Sequence, residues 1–164
     1  NYMTIKILQF AAILLTAVAM AAGWAHLLEL PNKIVLSREE YLTVQQIYRG
    51  WALLGIVVVG ALLSAAALAV LLRKEGVSFY LALAAAMCIA LSLVVFFSFT
   101  YPVNQATQNW TMLPDGWEPL RRRWEYSHAA GALLYFFALA SLALVCYPEE
   151  AVSRTGFLPA PRGG

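Results

Sequence analysis

The chain has 164 residues, of which 62% are hydrophobic and 12% charged, with a mean hydropathy of +0.69. Soluble domains carry about 25% charged residues, so most of this surface cannot face water. A net charge of +2 is too small to point to nucleic acid, and the two cysteines, Cys88 and Cys146, lie apart in apolar stretches without a CxxC pair. Both read as packing residues.

The first apolar run, Ile7 to Leu30, meets the roughly 20 residues that a spanning helix needs. Lys6 ahead of an apolar core, with Ala17-Val18-Ala19 behind it, also fits a signal peptide. Apolar sequence continues past that point, so a helix is the better reading. Pro31-Asn32 is expected to stop it. A second helix is predicted from Arg38, with Glu39 and Glu40 favoured in its first turn, running unbroken to Leu72. Arg73-Lys74-Glu75-Gly76 makes a short turn. The third helix covers Ser78 to Tyr101 and ends at Pro102. A polar connection rich in tryptophan leads to Pro119, where the fourth helix starts and continues to Tyr147.

These elements predict an all-α, integral membrane four-helix antiparallel bundle over residues 1–148, with helices at about 5–30, 38–72, 78–101 and 119–147 and a flexible tail at 149–164. The two longer connections then share one face of the bundle. The termini share the other with the Arg73 turn. Five basic residues fall on the terminal face (Lys6, Arg73, Lys74, Arg154, Arg162) and six on the loop face (Lys33, Arg38, Arg49 and Arg121 to Arg123). That near-balance gives the positive-inside rule little to act on, and the reading adopted is cytoplasmic termini.

Polar chemistry is concentrated at the loop face. All five tryptophans (Trp24, Trp51, Trp110, Trp117, Trp124) and both histidines fall towards it. The first helix ends His26-Leu-Leu-Glu29 and the fourth opens Glu125-Tyr-Ser-His128. Residues three apart share a helix face, so each segment presents one imidazole beside one carboxylate, in opposite order on antiparallel helices. Two His and two carboxylates suit Fe, Mn or Zn, and Glu-x-x-His recurs in di-metal four-helix bundles. A hydrogen-bonded network, with Glu29 or Glu125 paired to Arg49 or Arg121, is the competing reading. A bis-histidine haem is the third.

Gln45 and Arg49, four apart, are placed on one helix face that can orient an oxygenated ligand. The Arg121-Arg122-Arg123 run points around its helix, so one or two of these face the site and the rest meet lipid headgroups. A cavity lined by tryptophan and polar side chains is expected at this end. Small residues (Gly60, Ala61, Ser64, Ala65, Ala69) fill the other half and permit close helix packing.

Four segments, HLLELPNKI at 26–34, YLTVQQIYRGW at 41–51, PVNQATQNW at 102–110 and WEPLRRRWEYSH at 117–128, resemble the anthrone-oxygenase-like membrane protein family, a domain of unknown function, in its bacterial type. The resemblance runs from about residue 10 to 147 and is strongest in the Pro102, Asn104, Trp124 and His128 portion. It implies a monooxygenase-type oxidoreductase of the bacterial inner (cytoplasmic) membrane, acting on a hydrophobic aromatic or quinone-like substrate. His26, Glu29, Glu125 and His128 are then the catalytic or metal-holding residues. Trp24, Gln45, Arg49, Trp51, Asn104, Arg121 and Trp124 are the expected substrate contacts. The rival expectation is a non-enzymatic subunit or ligand-binding protein, as a homo-oligomer or within a larger membrane complex.

Overall fold

A computed structural model describes residues 2–147; the tail expected at 149–164 lies outside the described residues. Six α-helices follow in chain order: α1 (Tyr2–Lys33), α2 (Arg38–Gln45), α3 (Leu54–Leu71), α4 (Val77–Val95), α5 (Tyr101–Ala106) and α6 (Glu118–Val145). Four stretches are long and apolar enough to cross a membrane: Tyr2–Lys33, Trp51–Leu71, Val77–Ala106 and Glu118–Val145. The architecture is the expected all-α four-helix bundle. Each long helix packs on its neighbours in sequence, and α1 closes the ring against α6. Ile56, Leu63, Met87, Val94 and Phe137 point outward and exposed, the inside-out pattern of a lipid-facing surface.

Two buried clusters divide the bundle along its length. One is built largely of alanine, with Ala12, Ala19, Ala61, Ala65, Ala82, Ala85 and Ala138 at its centre. The other, at the loop end, gathers Tyr41, Val103, Trp110, Leu113, Trp117 and Trp124. Because Tyr41 comes from the first long connection and Trp110 from the second, both connections cover the same end. At Gly23 two helices approach closely: a Cβ there would lie 3.1 Å from the Ala132 backbone. That approach brings α1 against α6 one turn from each histidine.

Three helix boundaries differ from the sequence expectation. Pro31 does not end α1, which continues to Lys33 with the proline inside it. Proline is costly where it removes a bond from the helix interior, and here only the last turn is affected. The predicted 38–72 helix is broken. After α2 come two single 3-10 turns, Gln46–Tyr48 and Trp51–Leu53, on either side of Gly50 at φ +89°. A glycine accepts that left-handed backbone without steric cost, and it redirects the chain into the span.

Pro102 does not end the third span either. The helix widens into a π-turn over Phe96–Thr100, with the Tyr101 amide donating to the Phe96 carbonyl, and then resumes as α5. Proline has no N–H to give the carbonyl four residues back, which is Ser98. The Arg123 side chain supplies the missing donor, at 2.5 Å. Beyond α5, Gln108, Asn109 and Trp110 take positive φ in succession, at 48°, 55° and 61°. Non-glycine residues adopt this only when the surroundings hold them there. The Thr107 hydroxyl accepts from the Trp110 amide, and the indole is buried against Tyr41 and Trp124.

Candidate functional site

His26 and His128 meet as the antiparallel i,i+3 pattern requires. Their ring centroids are 4.2 Å apart with planes inclined by 30°. Trp124 lies 4.2 Å from His128, one turn away on α6, and 5.0 Å from His26. Tyr48 and Trp51, delivered by the two 3-10 turns, close the other side of His26 at 4.5 and 5.5 Å. His26 is buried, and its Nδ1 has no hydrogen-bond partner. In neutral imidazole one nitrogen donates and the other accepts, so the hydrogen-bonding capacity of that ring nitrogen is unused.

The carboxylates go elsewhere. Glu125 is fully buried, and its Oε1 accepts from the Tyr41 hydroxyl at 2.8 Å and pairs with Lys33 Nζ at 3.0 Å. Lys33 also donates to the Tyr48 hydroxyl at 2.8 Å, and Tyr48 in turn donates to Glu29. Lys33 lies 3.9 Å from Glu29, whose side chain is 38% exposed, so Lys33 spans one sealed and one open carboxylate. The ammonium is roofed by Tyr48 at 4.4 Å and Trp124 at 4.9 Å, cation–π distances that favour a desolvated cation. Gln45 extends the chain by donating to the Tyr41 hydroxyl at 2.8 Å. Burial, reinforced by the carboxylates each touches, pushes both the Tyr41 and Tyr48 hydroxyls well above the ordinary phenol range.

This arrangement does not fit the expected metal set. Among the described residues, no three His, Cys, Asp or Glu side chains come together as metal ligands. Imidazole lone pairs lie in the ring plane, and stacked rings with planes 30° apart aim them past one another. The Glu29 and Glu125 carboxylates already share an internal cation in Lys33. His26, Glu29, Glu125 and His128 therefore form an imidazole pair and a separate carboxylate–ammonium network. A haem between the histidines is equally ill-suited, since rings in contact leave no room for a macrocycle.

The expected substrate contacts divide. Trp51 and Trp124 wall the imidazole pair. Asn104 holds Trp124 in place, accepting from its indole N–H at 2.8 Å. Arg121 is a strut: it donates to the Leu36 carbonyl at 2.7 Å and stacks 4.5 Å over Trp117. Trp24 packs against Phe136 at 6.0 Å, away from the other tryptophans, with its buried indole N–H unpaired. Gln45 and Arg49 do not share a face, because the chain leaves the helix between them. Gln45 is buried, whereas Arg49 is exposed and bonds Gln46 at 2.9 Å. Trp110, Trp117 and Trp124 pack into the buried cluster at this end. Two clefts at this end are open surface grooves of about 370 and 420 Å3, and neither is lined by tryptophan or histidine.

Lys33, Tyr41 and Tyr48 fall at the loop face in the sequence but are not among the expected site residues. Lys33 stands seven after His26 and four after Glu29, a helical spacing that would have marked it had Pro31 not implied a stop. No family model matches this chain, and no curated protein or solved structure is significantly similar to it.

Proposed function

We propose that the loop-face end is the active site of a membrane-embedded oxidoreductase that oxidises a hydrophobic aromatic or quinone-like molecule without a metal. The observation carrying this reading is the His26–His128 pair, with His26 buried and His128 half-buried, ringed by Trp51, Trp124 and Tyr48, with an unpaired nitrogen on His26. A neutral imidazole with an unpaired ring nitrogen can accept a proton, the part a general base plays. In the proposed reaction, an imidazole takes a proton from an activated ring CH2. The carbanion adds to dioxygen, and the imidazolium returns the proton to the peroxide. Loss of the second C–H proton with O–O cleavage leaves a carbonyl and one water. Dioxygen is the oxidant and the substrate carbon is oxidised, so no further reductant is needed. The Lys33–Glu125–Tyr41 network holds Trp124 and Tyr48 around the imidazoles. The termini are assigned to the cytoplasmic side of a bacterial inner membrane.

The test is dioxygen uptake and quinone formation from an anthrone by the full chain in lipid nanodiscs. His26→Gln and His128→Gln should each lower turnover about 100-fold or more, the size of a general-base contribution. Equal turnover in both variants and wild type would overturn the reading. A second reading has one observation in its favour: aromatic rings fill the interior at this end. On that reading the network is structural, and the protein is a non-enzymatic subunit or ligand-binding protein that co-purifies with a larger complex.

A further inference from the structure

The groove of about 420 Å3 lies outside this network, between the π-turn and α6. Val95 and Phe99 form one wall, and Tyr126 and Ala130 form the other. Arg122 and Arg123 stand at its loop-face end. Ser127 also lines it, with its hydroxyl hydrogen-bonded to that of Thr100 at 2.7 Å. The π-turn shapes the groove, because an extra residue in that turn displaces Phe99 from the regular helical register. Arg123 is fixed beside it, with its guanidinium on the Ser98 carbonyl and 5.4 Å from the Phe99 ring centroid. Arg122 is exposed, and the three ion pairs among the described residues include neither arginine.

An apolar channel running about 12 Å along α6, from Arg122 to Ala130, with two guanidiniums at one end has the polarity of an amphiphile. The channel matches an acyl chain, and the cationic mouth matches a phosphate that guanidinium can bind in bidentate fashion. Charge complementarity thus selects the occupant. We propose that this groove is a specific site for one anionic phospholipid, with its phosphate on Arg122 and Arg123 and one acyl chain between Phe99 and Tyr126. A zwitterionic lipid gains less there, because its own ammonium competes for the phosphate. The site is independent of the chemistry assigned to the histidines.

The experiment is native mass spectrometry of the full chain, released from nanodiscs of equal phosphatidylglycerol and phosphatidylcholine. The expected result is one retained phosphatidylglycerol per chain. Arg122→Gln should weaken that retention about five-fold, the size expected for one basic side chain at an anionic surface. Ala130→Phe, which fills the groove from an exposed position, should abolish it. Arg49→Gln, an exposed arginine at the same end of the bundle, should change nothing. Equal retention of the two lipids by the wild type would overturn the proposal, as would undiminished retention in Ala130→Phe. Equal losses in Arg122→Gln and Arg49→Gln would mean that basic residues at this end attract anionic lipid non-specifically, and would overturn it too.

Discussion

Replacing Lys33 by Met removes the cation between two carboxylates while keeping side-chain length. The Lys33–Glu125 pair is 3.0 Å apart, with side chains 4% and 0% exposed. At an effective dielectric constant near 20, unit charges at that distance attract by about 5 kcal/mol. Desolvation offsets much of this in the intact pair, but it is not recovered when one partner is deleted. The deletion leaves an uncompensated buried carboxylate, which costs about 3–5 kcal/mol. The Glu29 contact adds about 0–1 kcal/mol, because at 3.9 Å and 38% exposure water screens it. Lys33→Met should therefore lower stability by about 3–5 kcal/mol. Glu125→Gln in the same chain should return about 2–3 kcal/mol, since a neutral amide can still accept from Tyr41. The assay is equilibrium unfolding by sodium dodecyl sulfate in mixed micelles, followed by circular dichroism for wild type, both singles and the double. A Lys33→Met cost below about 1 kcal/mol would refute the reasoning, as would additive effects of the two substitutions.

Gly23→Ala places a Cβ 3.1 Å from the Ala132 backbone, so α1 and α6 must separate by a few tenths of an ångström. The expected loss is about 1–3 kcal/mol in the same titration, partly recovered by adding Ala132→Gly. Raising pH tests the buried phenols. Tyr41 and Tyr48 titrate above their unfolded value, so their contribution to stability is intact below about pH 10 and declines as pH rises beyond it. In an alkaline absorbance titration, the Tyr41 and Tyr48 phenolates should develop only together with loss of helix. Tyr41→Phe with Tyr48→Phe should shrink that step by two phenolates.

Hydropathy and helical spacing were enough to find the four spans and the end of the bundle that holds the polar chemistry. Lipid demands about 20 apolar residues per crossing, a constraint written in composition alone. The i,i+3 spacing in each segment, with reversed order on antiparallel helices, likewise brought His26 to His128 on paper. Three features were decided only by the folded structure, and two of them are backbone carbonyls satisfied from far along the chain. Arg123 supplies the Ser98 carbonyl with the donor that Pro102 lacks, and so lets a helix pass a proline. Arg121 binds the Leu36 carbonyl and pins the first connection to α6. Gly50 turns the chain so that Tyr48 and Trp51 flank His26, while Arg49 is left outside. Lys33 depends on the same kind of fact. Local rules stop α1 at Pro31, and only the packing of α1 against α6 carries the helix one half-turn further, where an ammonium meets Glu125. A carboxylate buried in apolar surroundings takes whichever cation the fold brings nearest. For Glu125 that cation is the lysine, and the sequence pattern by itself had pointed to a metal or an arginine.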